Sequence, residues 1–316
     1  LRPRRQRQMC IRDSCYSISI LPIKMTNLNS RTIGILSTSI GAMLIGVAPI
    51  LVRTSEITPS LTGFYRFLCA TFILFVYGIA KNKFINLKYK DILILAIPGL
   101  FFGSDITLWH WSINQTSVAN AALFVNTAPI YVAIISYFLF KDKLDLFFYF
   151  AGFCCLGGVF LILFEQNEYQ TFSGDLLSLV AAVFYSGYLI SVKKFSETYE
   201  TFHLMFFSAL FGCIPLYLGS LLETGHAFPE TALGWSNILF QGLFIQIAGQ
   251  GLIIYGLSLI RVQFSSLILL IQPLTAAFLA FLLFQEMFLI QQIFGAIILL
   301  IGIYLAGLSD QKTIKN

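Results

Sequence analysis

The feature that most constrains this chain is a series of ten apolar runs, each long enough to cross a bilayer. A spanning helix needs about 20 apolar residues, and the connections between these runs are short. The sequence therefore predicts an all-α integral membrane protein with no separate soluble domain. The predicted helices, called spans 1 to 10 below, are 32–52, 59–80, 91–112, 117–140, 145–164, 174–194, 201–222, 235–258, 263–284 and 288–308.

Composition supports a membrane environment. Charged residues make up 11% of the chain and hydrophobic residues 57%, whereas soluble domains carry about 25% and 45–50%. A soluble chain of this kind would expose apolar patches far larger than monomers tolerate. The net charge of +5 is modest and lies in short clusters between the runs. It indicates membrane topology and no nucleic-acid partner.

The distribution of Lys and Arg predicts one orientation. With the amino terminus inside and residues 1–24 left out of the count, only Arg53 falls in a periplasmic loop, against twelve basic residues on the cytoplasmic side. This strong positive-inside bias predicts an inner-membrane protein with both termini in the cytoplasm. The twelve are Arg31, Lys81, Lys83, Lys88, Lys90, Lys141, Lys143, Lys193, Lys194, Arg261, Lys312 and Lys315.

Residues 1–24 differ from the rest of the chain. They are Arg-rich, with a short apolar stretch that lacks the h-region of a secretory signal. We expect a non-native extension before Met25, and the alternative is a disordered cytoplasmic tail. Neither carries chemistry.

The chain contains an internal repeat. Pro129, Asp142 and Gly158 match Pro273, Glu286 and Gly302 at a constant offset of 144 residues, and earlier segments align near an offset of 140. The predicted repeats are 25–166 and 167–316. Each has five spans, an odd number, so the second must enter the membrane inverted. Inverted repeats are typical of secondary transporters that alternate access around a central site.

Four stretches resemble the drug/metabolite transporter superfamily, specifically the EamA-type permeases. They are FYRFLCATFIL in span 2, LWHWSINQTSVANAALFVNTAPIYVAIISYFLFKDKL in spans 3 and 4, GDLLSLVAAVFYSGYLISVKK in span 6, and SSLILLIQPLTAAFLAFLLFQE followed by QQIFGAIILLIGIYL in spans 9 and 10. The resemblance covers nearly everything after Met25. It implies a ten-helix carrier of small metabolites or drugs and names no substrate. Asp142 stands where the family more often has Glu.

Two ionisable residues inside the spans are candidates for the substrate site. A charge at this depth costs about 2.5–3.5 kcal/mol on insertion scales. At 1.5 Å per residue, Arg66, Asp105 and Asn126 lie roughly 10, 12 and 13 Å below the periplasmic face. We expect Arg66 and Asp105 to pair, or to flank one polar site that Asn126 completes. The alternative for Arg66 is a structural role, with its side chain reaching toward the membrane surface.

Other polar and aromatic residues are weaker candidates for substrate binding. Trp109 lies one turn from Asp105 and could form an aromatic wall, or it could be an interfacial anchor. His110 is interpreted as a satisfied polar residue that points elsewhere. In the second half the candidates are Tyr185 in span 6, Gln246 and Gln250 on one face of span 8, and Gln272 in span 9.

Two prolines and two acidic residues are candidates for structural or gating roles. Pro129 and Pro273 each release a carbonyl one turn earlier, which is tolerated at depth where it is buried or lines a cavity. Helix-kink packing alone is the alternative. Asp142 and Glu286 lie at span ends, where capping or ion pairing competes with gating.

The sequence predicts a carrier and no enzyme. It has no GxxxxGK[ST] loop, so we expect a solute gradient, exchange or protons to supply the energy. Its six cysteines form no CxxC motif and its three histidines are scattered, so we expect no metal or cofactor. The partners are then a small-molecule substrate and the lipid bilayer. A channel, a scaffold or a membrane-embedded enzyme is the alternative.

Overall fold

A computed structural model describes residues 29–85, 87–116, 118–141, 144–163, 171–284 and 289–315. Every regular element in these ranges is helical. Ten helices are long and apolar enough to cross a membrane, which confirms the predicted fold class. They run over Ser30–Arg53, Pro59–Ala80, Tyr89–Ile113, Asn120–Phe140, Leu146–Leu163, Phe172–Phe195, Thr201–Ser220, Ala232–Leu259, Val262–Leu283 and Ile290–Gln311. The predicted extension 1–24 lies outside the described residues, as do Asp142 and Glu286.

Three spans are broken in the middle, each just before a proline. Span 1 consists of α1 (Ser30–Ile45) and α2 (Ala48–Arg53), span 4 of α5 (Val118–Val125) and α6 (Ala128–Phe140), and span 9 of α12 (Val262–Ile268) and α13 (Ile271–Phe284). A proline removes one backbone donor and clashes with the carbonyl four residues earlier. The breaks in spans 4 and 9 therefore lie at Pro129 and Pro273, and Pro49 adds one in span 1.

Spans 2, 3, 5, 6, 7 and 10 are continuous helices. They are α3 (Pro59–Ala80), α4 (Tyr89–Ile113), α7 (Leu146–Leu163), α8 (Phe172–Phe195), α9 (Thr201–Ser220) and α14 (Ile290–Lys315). Pro98 and Pro215 lie inside α4 and α9 without interrupting them.

Span 8 contains a π-helical segment, whereas the sequence predicts a single membrane helix over 235–258. Between α10 (Ala232–Phe240) and α11 (Gln250–Leu259), residues Gln241–Gly249 form a π-helix. Nine residues of π-helix are unusual, because such segments mostly occur as single turns, frequently at functional sites. Gly242 and Gly249 lie within it and lean on spans 2 and 1 respectively, where a β-carbon would meet Cys69 Sγ at 2.8 Å and Leu44 Cβ at 3.2 Å.

The helices pack mainly across the two halves of the chain. Span 1 packs on span 8, span 2 on spans 7 and 8, span 3 on spans 6 and 7, span 4 on spans 6 and 9, span 5 on span 10, and span 9 on span 1. If each span is replaced by its counterpart in the other half (span 1 by span 6, span 2 by span 7, and so on), the same set of packing pairs is obtained. The principal packing pairs are therefore the same when the two halves are exchanged.

Spans 5 and 10 meet through glycines. A β-carbon on Gly158 would lie 2.6 Å from the Gly295 carbonyl oxygen, and one on Gly302 would lie 2.7 Å from Cys155 Sγ. Small residues at such positions let two helices approach closely in a membrane. Gly157 precedes Gly158 in the sequence, but a β-carbon on Gly157 would have no neighbouring heavy atom within 4 Å.

We expect Gly158→Leu to separate spans 5 and 10, because the new side chain has no space. Over-packing of this kind costs about 1–3 kcal/mol. Purified protein in detergent should show a lower apparent Tm and a lower monodisperse yield. Gly157→Leu is the matched control and should behave like the unsubstituted protein. Equal effects of the two substitutions would contradict this account of the interface.

The bundle has two ends, which we call the terminal face and the opposite face. At the terminal face, Arg31 at the start of span 1 pairs with Asp310 near the end of span 10, at 3.4 Å. Lys193 donates to the carbonyl oxygens of Leu257 and Ile260, both at 2.9 Å, and so caps the end of span 8. The opposite face carries the turns between spans 1 and 2, spans 3 and 4, and spans 7 and 8.

Candidate functional site

Two buried ionisable side chains lie on spans 2 and 3. Arg66 on span 2 and Asp105 on span 3 are each 6% exposed, and each charge acts on the other. The direct ion pairs among the described residues do not include this couple. Arg66 Nε and Asp105 Oδ1 are both buried without a hydrogen-bond partner. The two groups therefore keep hydrogen-bonding capacity that the protein itself does not use.

His110 belongs to the same cluster. It is 1% exposed, its Nδ1 has no hydrogen-bond partner, and the charge of Arg66 acts on its ring. The interpretation of His110 as a satisfied side chain is wrong, because its Nδ1 is buried without a hydrogen-bond partner. On an ideal helix His110 lies about 140° around the axis from Asp105, so helical spacing alone could not place both near one guanidinium.

Tyr185 connects this cluster to the second half of the chain. Its hydroxyl lies within the electrostatic reach of Asp105 and beside the side-chain amide of Gln272. Gln272 Nε2 has no hydrogen-bond partner. Gln272 is the second residue of α13, which follows the break in span 9, and it precedes Pro273. The helix break thus holds an amide with unused hydrogen-bonding capacity next to residues from spans 3 and 6.

A second buried pair lies one turn further along span 6. Gln250 at the end of the π-helix donates from Nε2 to the Tyr188 hydroxyl, 2.5 Å away. Tyr188 is fully buried, and its ring stacks on Phe102 at 4.4 Å and on Tyr185 at 6.3 Å. Gln250 Oε1 has no partner. The aromatic stacking around Tyr188 is visible only in three dimensions.

The remaining predicted residues are not joined to Arg66 and Asp105 by any described contact. The Asn126 amide donates to the Ala122 carbonyl oxygen of its own helix at 2.7 Å. Trp109 is half-buried, with its ring 5.4 Å from that of His110. Gln246 is 5% exposed within the π-helix. Asn126 therefore satisfies its donor locally, and the roles of these three residues stay predictions.

The arrangement balances its charges. One guanidinium and one carboxylate, each with an unused polar atom, stand beside a histidine, two amides and three stacked aromatic rings. Burial of a polar atom without a partner is costly, so such atoms call for an explanation. A small polar molecule could satisfy several of them together. Within the described ranges, no three His, Cys, Asp or Glu side chains are placed to hold a metal ion.

A separate apolar crevice lies between spans 5, 9 and 10. Its lining is hydrocarbon except for Gln292, whose amide donates to the Ile162 carbonyl oxygen at 3.3 Å. It offers no unpaired polar atom among its described residues. The polar cluster, and not this crevice, is the candidate substrate site.

Comparison with known proteins agrees with this architecture. A protein of Clostridium kluyveri named as an uncharacterized transporter is 26% identical over 242 residues, covering 73% of this chain and 77% of that protein. The uncharacterized transporter YetK of Bacillus subtilis is 22% identical over 259 residues, covering 78% of each. One crystal structure matches with a TM-score of 0.74 and 16% identity, over 89% of this chain and 99% of that chain. A likeness at that identity shows the fold.

The family model for EamA-like transporters matches the chain twice, over residues 32–164 and 172–308. Each match covers five of the ten membrane helices. The two matches account for most of the chain, and the relatives that match it are named as transporters. The chain is a multi-pass membrane protein that belongs to the EamA-like transporter family.

Proposed function

We propose that this protein is a secondary carrier that moves a small polar metabolite, an amino acid or a drug-like compound across the cytoplasmic membrane by alternating access. The observation that carries the proposal is the Arg66–Asp105 couple, buried at the contact between the two halves. Each group has a polar atom with no partner among the described residues. Charged groups in a membrane interior are expensive and mark substrate pathways in transporters.

The two halves both contribute to this site. Arg66, Asp105 and His110 come from the first family match, and Tyr185, Gln250 and Gln272 come from the second. A site divided in this way is exposed to one side or the other when the halves rock, which is the mechanism of many inverted-repeat carriers. The packing of the helices, which maps onto itself when the halves are exchanged, supports this symmetry.

The orientation is proposed from charge. Arg31, Lys83, Lys193 and Arg261 lie at the terminal face among the described residues, where they bond to other segments of that face. The positive-inside rule then assigns this face to the cytoplasm. We further propose that protons or a counter-substrate supply the driving force, with Asp105 as the group that exchanges its proton or its ionic partner.

The proposal is tested by identifying a ligand and then its transport. Purified protein is screened by thermal shift against a metabolite library, because a ligand that binds the folded state raises its apparent stability. Each hit is then offered to proteoliposomes in radiolabelled form. We expect saturable uptake that unlabelled ligand inhibits. Electrical recordings that show stepwise ion currents, or the appearance of a chemically altered product, would contradict a carrier.

A further inference from the structure

Two carboxylates in corresponding inter-helix segments form contacts at opposite ends of the bundle. Glu56 lies between spans 1 and 2, and Glu200 lies between spans 6 and 7. They lie in corresponding segments but not at matched positions, since they are 144 residues apart and the earlier segments of the two halves align near an offset of 140. One is at the opposite face and the other at the terminal face.

The Glu56 contact, called the opposite-face latch, joins spans 1 and 2 to the start of span 8. Glu56 Oε2 accepts from the backbone N–H groups of Glu230 at 2.8 Å and Thr231 at 3.1 Å, and the Thr231 hydroxyl donates to Oε1. The hydrogen bond from the Thr231 side chain, together with those from the backbone, holds the pKa of Glu56 below its usual value against the effect of desolvation. Glu56 is therefore a carboxylate at neutral pH.

A further contact at this face joins the same spans. Ser60 at the start of span 2 donates from its hydroxyl and its backbone N–H to Glu223, at 2.6 and 3.1 Å. Glu223 follows the end of span 7. The turn between spans 1 and 2 is thus bonded to both ends of the segment between spans 7 and 8.

The Glu200 contact, called the terminal-face latch, joins the turn between spans 2 and 3 to the start of span 7. Lys83 Nζ lies 2.5 Å from Glu200 Oε2, and His203 Nε2 donates to the Lys83 carbonyl oxygen at 2.8 Å. The Tyr199 hydroxyl donates to Asp91 Oδ1 at 2.8 Å. Phe84, Phe202 and Phe206 pack together beneath these contacts.

Exchanging the two halves converts one latch into the other. The segment between spans 1 and 2 becomes that between spans 6 and 7, and the segment between spans 7 and 8 becomes that between spans 2 and 3. Glu56 bonds to the segment between spans 7 and 8, and Glu200 bonds to the segment between spans 2 and 3. These two partner segments are themselves counterparts in the two halves. The polar cluster of Arg66, Asp105 and Gln272 lies between the two latches, and both latches are formed in this structure.

We propose that the Glu56 and Glu200 latches are the two gates of the carrier, which open alternately to expose the central polar cluster at one face or the other. This inference rests on the proposed function. Both contacts involve partly or largely solvent-exposed side chains, and such contacts add little stability. A gate must open at small cost, because a carrier's conformers differ by only a few kcal/mol. Weak contacts at the two ends meet that requirement.

The test measures the access of a membrane-impermeant maleimide to a cysteine at the site. The parent chain carries Gln272→Cys in a background in which the native cysteines are replaced by serine or alanine. Labelling is followed in membrane vesicles whose orientation is assigned by protease cleavage of a tag at the carboxyl terminus. Glu56→Gln should raise labelling at least several-fold from the opposite face only. Glu200→Gln should raise it from the terminal face only.

Two exposed glutamates provide matched controls. The Glu230 side chain pairs with His226 and only its backbone N–H meets Glu56, and Glu197 is an exposed neighbour of Glu200. Glu230→Gln and Glu197→Gln should label like the parent. Labelling that is unchanged in both latch variants, or raised from the same face in both, would overturn the proposal.

A second measurement tests the proposal even if the chain with the Gln272→Cys reporter does not fold. Hydrogen–deuterium exchange on the full chain, with native cysteines retained, should show faster exchange at 231–237 in Glu56→Gln and at 83–91 in Glu200→Gln. Faster exchange in both segments of both variants would contradict separate gates. Neither readout needs a substrate, so sided opening in a chain that transports no solute would reject the proposed function and retain the latches.

Discussion

Asp105→Asn is expected to lower the transport rate about 10- to 100-fold, the effect of losing one hydrogen bond to a charged group. Asp105 is buried beside Arg66 with an unpaired oxygen, so the carboxylate is available to the substrate or to a proton. The amide keeps the shape of the side chain and removes its charge. Initial rates in proteoliposomes, normalised to the amount of inserted protein, measure the effect.

The control for Asp105→Asn is a carboxylate outside the cluster. Glu197 is exposed at the terminal face, and Glu197→Gln should transport at the unsubstituted rate. Membrane fractions should contain similar amounts of both variants, because Asn is less costly in hydrocarbon than Asp. Full transport by Asp105→Asn at normal protein levels would reject Asp105 as a substrate or proton group.

The helical architecture could be predicted because its signals are local. A run of about 20 apolar residues specifies a membrane helix with little help from the rest of the chain. Pro129 and Pro273 favour a break because the ring clashes within its own helix, although Pro98 and Pro215 lie in helices that stay continuous. The same local rule applies to Pro49, where the structure has a break in span 1. The π-helix of span 8 could not be predicted, because no comparably local signal for it was recognised in the sequence.

The candidate site was only partly predictable for a related reason. Counting residues from a span end gives the depth of a side chain, and Arg66 and Asp105 were expected at one level on neighbouring spans. Depth does not give the direction in which a side chain points. The Asn126 amide, for example, donates to the Ala122 carbonyl oxygen of its own helix. Tyr185 and Gln272 meet because spans 6 and 9 pack beside each other, which a single helix pattern does not contain.

His110 shows the same limit for a residue that the sequence did not predict to be in the site. Its position on span 3 is turned well away from Asp105, yet both interact electrostatically with Arg66. A guanidinium on a long side chain can reach groups on two faces of a neighbouring helix, which helical spacing does not reveal. The signal that could have placed His110 in the site is its short separation from Asp105, since both are ionisable residues within the same membrane span.

A double substitution distinguishes the two roles left open for Arg66. If Arg66 and Asp105 form one electrostatic unit, Arg66→Met leaves Asp105 as an uncompensated buried carboxylate. We expect a loss of about 2 kcal/mol, less than the 3–5 kcal/mol of a contacting pair, because the couple forms no direct ion pair. Adding Asp105→Asn to Arg66→Met should then recover much of the apparent Tm, while transport stays low because both charges are missing.

The structural role predicts a different result for the same double substitution. If Arg66 only reaches toward the membrane surface, the effects of the two changes on Tm should add, since independent sites show no coupling. Lys90→Met, which changes an exposed lysine at the start of span 3 on the terminal face, controls for the loss of a basic residue and should leave Tm close to the parent value. Recovery of Tm without recovery of transport is therefore the result that assigns the couple to the transport mechanism, and additive losses would assign Arg66 to the scaffold.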